Sequence, residues 1–140
     1  MQLEDVPWRF TDDSNGIVFD FPLGTIIEPG EYLLLVKNEN IFNLRYPAIN
    51  RSAQVIEWGD GRLNNAGEKL QLSKPGEELE GTRYYIRVDR VNYSDGSHPE
   101  GEDPWPLEPD GGGFSLTKKE SNDYGNDVDN WLADTPSPGY

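Results

Sequence analysis

Glycine and proline interrupt this chain so often that no apolar pattern of helix length survives. They number 15 and 11 among 140 residues. Between the interruptions, apolar residues alternate or cluster in runs of about four to eight, which is strand length. Residues 6–11 place Val6, Trp8 and Phe10 on one face. After the turn Asp12-Asp13-Ser14-Asn15-Gly16, a second strand sets Ile17, Phe19 and Phe21 against Val18 and Asp20. Two such runs around a short polar turn predict a hairpin.

Tyr32-Leu33-Leu34-Leu35-Val36 is apolar throughout and reads as a strand covered on both faces, at the centre of a sandwich. Ile41, Phe42, Arg45 and Tyr46 fit a short helical turn near residues 39–46, closed by Pro47. Residues 54–58, 69–73, 84–93 and 114–119 supply further strands. Lys74-Pro75-Gly76-Glu77 reads as a turn between two of them. Along residues 84–93 the apolar face switches, which predicts a bulge or bend near Arg90. About seven short antiparallel strands, with turn signals between them, predict an all-β, immunoglobulin-like sandwich over residues 1–134. Thr135-Pro136-Ser137-Pro138-Gly139 begins an exit linker over residues 135–140.

A formal net charge of −14 repels phosphate backbones and anionic membrane surfaces, and no Lys/Arg cluster offsets it. Nucleic acid is therefore excluded as a partner class, and no apolar run is long enough to insert in a bilayer. Without cysteine there is neither a disulfide framework nor a thiolate metal site. No signal peptide is visible, so an exported protein would carry it upstream, and the chain is expected to be a fragment.

Several motifs in order resemble the lamin tail domain. They run from Leu3 with Trp8-Arg9-Phe10-Thr11-Asp12, through Pro29-Gly30-Glu31-Tyr32-Leu33 and the helix from Ile41-Phe42 to Tyr46-Pro47. Leu63-Asn64-Asn65-Ala66-Gly67-Glu68 is the most specific piece. Asp89-Arg90-Val91-Asn92-Tyr93, Pro104-Trp105-Pro106, the segment from Asp110 to Leu116, and Asp129-Asn130-Trp131 complete the set. The chain departs from the family in lacking its opening strands and in a longer stretch over residues 77–87. The resemblance implies a non-catalytic structural or protein-interaction module of a larger secreted or cell-surface protein. Its partners would be another protein or neighbouring domains of the same chain. The missing strands predict an open sheet edge, covered by residues 1–5, by other domains or by a second copy in a dimer.

Each chemical candidate has a structural counterpart. Asn64, Asn65 and Gly67 suit a tight reversal, because all three tolerate left-handed backbone. Trp8 and Trp131 are expected in the core. Trp105, held between two prolines, either plugs one end of the sandwich or offers an aromatic platform to sugars or peptides. With Asp110 it is the candidate for carbohydrate binding, the alternative function. Calcium is the one candidate cofactor. Asp123, Asp127 and Asp129 alternate around Gly125 as oxygen donors, and Glu100, Glu102, Asp103, Glu108 and Asp110 make a second acidic loop. Both clusters also fit a plain solvated surface. Asp110-Gly111-Gly112-Gly113 lacks the lysine and the helix of a phosphate loop. Asp95-Gly96-Ser97-His98 contains the three residue types of a hydrolase triad, but neighbours in sequence rarely face one another across the required gap. No catalytic residue is assigned. Asn50-Arg51-Ser52 and Asn92-Tyr93-Ser94 fit the glycosylation sequon.

Overall fold

A computed structural model describes residues 5–13, 16–48, 53–98 and 102–140. Leu3, the turn residues Ser14 and Asn15, the sequon at 50–52, Glu100 and the edge-covering residues 1–4 lie outside these. The class is all-β. Eight described strands are β1 (Arg9–Thr11), β2 (Val18–Asp20), β3 (Leu33–Val36), β4 (Gln54–Glu57), β5 (Gly67–Leu79), β6 (Thr82–Ser94), β7 (Ser115–Lys118) and β8 (Trp131–Asp134). The described residues also include one α-helix, α1 (Glu39–Arg45), and a 3-10 turn (Val128–Asn130).

β5 and β6 form the spine. They are a hairpin of 13 residues a side, closed by Glu80 and Gly81 at φ +50° and +79°. Positive φ at both central positions gives the two-residue reversal whose twist matches that of its strands. The turn expected at Lys74–Glu77 is therefore corrected: this segment lies inside β5. The chain makes a bulge there instead, at Gly76 and Glu77, between the Pro75–Tyr85 and Glu78–Arg83 pairs. A proline has no ladder N–H to lose at such an irregularity. The Gly76 carbonyl freed there accepts from Arg83 Nη1 at 2.8 Å. A second bulge leaves Val88 unpaired between Arg87 and Asp89, two residues before the face switch expected at Arg90.

β1 adds antiparallel to the base of β5, with Phe10 opposite Leu72, and β2 adds to β1, giving the order β2-β1-β5-β6. The alternation read in β2 holds: Ile17 is fully buried while Val18 is 65% exposed. Arg9 clasps Asp20 across the hairpin, Nε to Oδ1 at 2.6 Å and Nη2 to Oδ2 at 3.0 Å. Its guanidinium also lies 4.3 Å over the Tyr85 ring. One arginine thus links the edge strand β2 to β6.

β3 and β4 pair parallel, with α1 as the crossover between them. Parallel partners need such a connection. The expectation of antiparallel strands alone is corrected at this pair. α1 forms where the sequence predicts a helix, because the Asn38 side chain caps the Ile41 N–H at 2.9 Å and Pro47 stops propagation. β7 and β8 make a third, antiparallel sheet. The strands thus form three hydrogen-bonded sheets. Among the described residues β3 pairs with β4 alone, and the Leu33–Leu35 side chains are half-buried while Val36 is buried. Trp8, expected in the core, is 44% exposed. Among the described residues the large apolar side chains are mostly half-covered, and the core is thin.

The tip of the hairpin yields a stability prediction. Glu80 occupies left-handed backbone, which costs a residue with a Cβ about 1–2 kcal/mol. Asparagine tolerates it better and forms the favoured Asn-Gly turn. Glu80→Asn should raise stability by about 0.5–1 kcal/mol, read as a shift of the urea midpoint at constant slope.

Candidate functional site

The Leu63–Glu68 segment leads into β5 beside the end of β6, and its residues explain its shape. Asn64 Oδ1 accepts from the Ala66 N–H at 2.9 Å, a local cap that makes the reversal. Glu68 is buried, and its Oε1 accepts from the Asn64 N–H at 2.7 Å. The Tyr93 hydroxyl donates to the Asn64 carbonyl and lies 3.3 Å from Glu68 Oε1. Gly67 sits at φ +130°, and a Cβ there would press on the Tyr93 carbonyl oxygen and lie 2.9 Å from Ser94 Cα. A glycine is therefore required for β5 to meet β6 at this register. Asn65 is exposed. Of the three residues expected to use left-handed backbone, Gly67 has positive φ, while Asn64 acts through its side-chain cap.

An open cleft of about 490 Å³ lies over this network, lined by Asp13, Gly67, Glu68, Asn92, Tyr93 and His98 among others. Burial and the nearby Glu68 carboxylate push the Tyr93 hydroxyl well above the ordinary tyrosine range. It is a neutral hydrogen-bond donor at physiological pH.

Beyond β6 the chain turns into the acidic loop. Asp95 Oδ1 accepts from the Ser97 N–H at 2.9 Å and from the Ser97 hydroxyl at 2.7 Å, and lies 2.9 Å from His98 Nδ1. Asp103 accepts from the Ser94 hydroxyl, from the Trp105 N–H at 3.0 Å and from the His98 N–H at 3.2 Å. Both carboxyls lie below their ordinary range, each held there chiefly by a serine: Ser97 for Asp95 and Ser94 for Asp103. Ser97, His98 and Asp95 do meet, against the expectation from their adjacency. Yet the Ser97 hydroxyl, at 3.1 Å, addresses the same Nδ1 that faces Asp95. A triad needs the base to face its carboxylate with one ring nitrogen and its nucleophile with the other. The geometry is therefore not that of such a triad.

Asp95, His98 and Asp103 are, among the described residues, the three-residue set of acids and histidine whose ligand atoms lie within 4.8 Å of one another. Asp123, Asp127 and Asp129 are not brought together in this way. Asp127 instead caps the 3-10 turn, its Oδ1 accepting from the Asp129 N–H at 3.0 Å, and the Asp129 carbonyl accepts from Lys119 Nζ at 2.6 Å. The Asp110 N–H closes a turn onto the Leu107 carbonyl at 3.0 Å. Trp105 is half-buried, its ring 6.2 Å from that of Trp131, whose Nε1 donates to the Gly125 carbonyl at 2.8 Å. Sequence reasoning missed the Ser94–Asp103 and Tyr93–Glu68 contacts, which have no local signature.

No protein-family model, curated protein or solved structure matches the chain.

The network predicts an alkaline transition. A hydroxyl whose folded pKa lies above its unfolded value of about 10 favours the folded state below that pH and loses the advantage as pH rises through it. Stability should fall above about pH 10, and Tyr93→Phe should flatten that limb while lowering stability near neutrality by about 1 kcal/mol through the lost hydrogen bonds. Chemical denaturation at a series of pH values reads both effects.

Proposed function

We propose that the chain is a non-catalytic protein-interaction module of a larger secreted or cell-surface protein, as its resemblance to the lamin tail domain implies. One observation carries the reading. The outer half of the β5–β6 hairpin, residues 74–88, reaches past the last residue of β5 that β1 pairs with, Ser73. It presents Tyr84, Ile86 and Val88 at 55%, 51% and 46% exposure, with Leu79 near the tip at 55%. Tyr84 and Ile86 are alternate residues on one face of the strand, with Val88 following at its bulge, and clustered exposed apolar surface marks an interaction site. The stretch over residues 77–87 that departs from the family in length is this arm.

The groups near the cleft suit bracing better than chemistry. Glu68 and Tyr93 hold the segment that enters β5, and Asp95 and Asp103 are engaged by serines and backbone N–H groups. An imidazole with two carboxylates is also not the all-oxygen shell that calcium prefers. No helix among the described residues is long and apolar enough to cross a membrane.

A panel of ester, glycoside and phosphodiester substrates tests the reading. Turnover should stay at buffer level, and calorimetry with calcium should give no heat beyond dilution. Hydrolysis that His98→Ala abolishes would overturn the non-catalytic assignment.

A further inference from the structure

The two edges of the arm differ. The β5 edge is guarded, because Pro75 offers no N–H, a bulge bends the strand at Gly76 and Glu77, and Glu77, Glu78 and Glu80 crowd the tip. These are the devices by which proteins discourage strand addition. Over Thr82-Arg83-Tyr84-Tyr85-Ile86-Arg87 the β6 edge carries neither proline nor bulge, and its own bulge follows at Val88. This segment has no proline, glycine or acid, and its aromatic and β-branched residues favour a strand. β6 is the last strand of its sheet. Its far end is covered, since Asn126 Oδ1 accepts from the Asn92 N–H at 2.8 Å and Gly125 packs on the Arg90 carbonyl. Thr82 to Val88 has no such cover among the described residues.

We propose that this edge pairs with the same edge of a second copy of the chain, β6 against β6 antiparallel, about a two-fold axis at Ile86. The inference rests on the arm being an interaction surface and names what it takes. A strand that pairs with its own copy must be self-complementary in a single register. About Ile86, Tyr84 lies opposite Val88 of the other copy, Ile86 opposite Ile86, and Tyr85 opposite Arg87. One face is wholly apolar, and the other sets a guanidinium beside an aromatic ring, an attractive pair. Moving the axis one residue to Tyr85 sets Arg83 opposite Arg87, and like charges directly opposite oppose pairing. The charge balance points the same way. Copies carrying −14 repel, yet residues 74–88 are neutral, with Lys74, Arg83 and Arg87 against Glu77, Glu78 and Glu80. The arm is a part of the surface where two copies can approach without that penalty.

The chain has no cysteine, so a single introduced thiol reports on the axis. Residues facing each other across an antiparallel pair have Cα atoms about 4.5–5.5 Å apart, within reach of a disulfide. Under mild oxidation Ile86→Cys should convert almost wholly to a disulfide-linked dimer. Leu79→Cys, equally exposed but off the axis, should leave only traces. In sedimentation velocity the unmodified chain should sediment as a dimer that Ile86→Lys converts to monomer with its far-ultraviolet dichroism unchanged. Equal crosslinking of both cysteine variants, or a monomer at the highest soluble concentration, would overturn self-pairing. Neither result touches the non-catalytic assignment, which the substrate panel tests separately.

Discussion

The register between β5 and β6 is the constraint on which the rest of the structure depends. It gives β1 a strand to pair with, and through β1 it places β2 and the fully buried Ile17. It sets Glu68 opposite Tyr93, so the Leu63–Glu68 segment is fastened at the base of the hairpin. It also fixes where Ser94 emerges and hence where the acidic loop begins. Gly67 holds the register at one end, because no side chain fits against the Tyr93 carbonyl, and the Glu80–Gly81 reversal holds it at the other. A slip of one residue would turn every side chain of a strand to the opposite face.

What the sequence reveals follows how local each cause is. α1 is legible because its cap and its stop, Asn38 and Pro47, lie next to it. The alternation of Ile17, Val18 and Phe19 is legible because a strand with one covered face writes a period of two into its residues. The reversal at Asn64 is legible because side-chain capping needs no partner beyond three residues. Lys74-Pro75-Gly76-Glu77 misleads because a Pro-Gly pair serves a bulge as well as a turn, and only the opposing strand decides. The parallel pairing of β3 with β4 has a faint sign in the helix between two apolar runs. The exposure of Trp8 has none, since burial depends on whether another layer reaches it. At the acidic loop the residue types were visible, but their partners were not. Asp103 is set by a serine at the end of β6, and only the fold makes them neighbours.

Charge is distributed unevenly over this acidic chain. Arg9 is committed to Asp20 and the Tyr85 ring, Arg83 to Gly76 and Glu78, and Lys118 lies 3.6 Å from Asp89. These cations tie strand to strand along the spine. Exposed pairs of this kind each contribute little to stability. The hairpin itself is balanced, with Lys69, Lys74, Arg83, Arg87 and Arg90 against Glu68, Glu77, Glu78, Glu80 and Asp89. Away from it the surface is acidic, and mutual repulsion there keeps other faces of the molecule apart.

The connectivity of the hairpin also orders the folding of the chain. Its two-residue loop makes Leu79–Thr82 the most local contact of the ladder, and hairpins form in about 1–10 microseconds. The β1–β2 reversal is similarly local. Joining them is different, because Phe10 finds Leu72 only after the whole β3–α1–β4 segment has been looped out. That closure involves contacts distant in sequence, which slow folding. Two local hairpins joined through one contact distant in sequence, around a crossover unit with its own parallel ladder, raise the contact order of this topology.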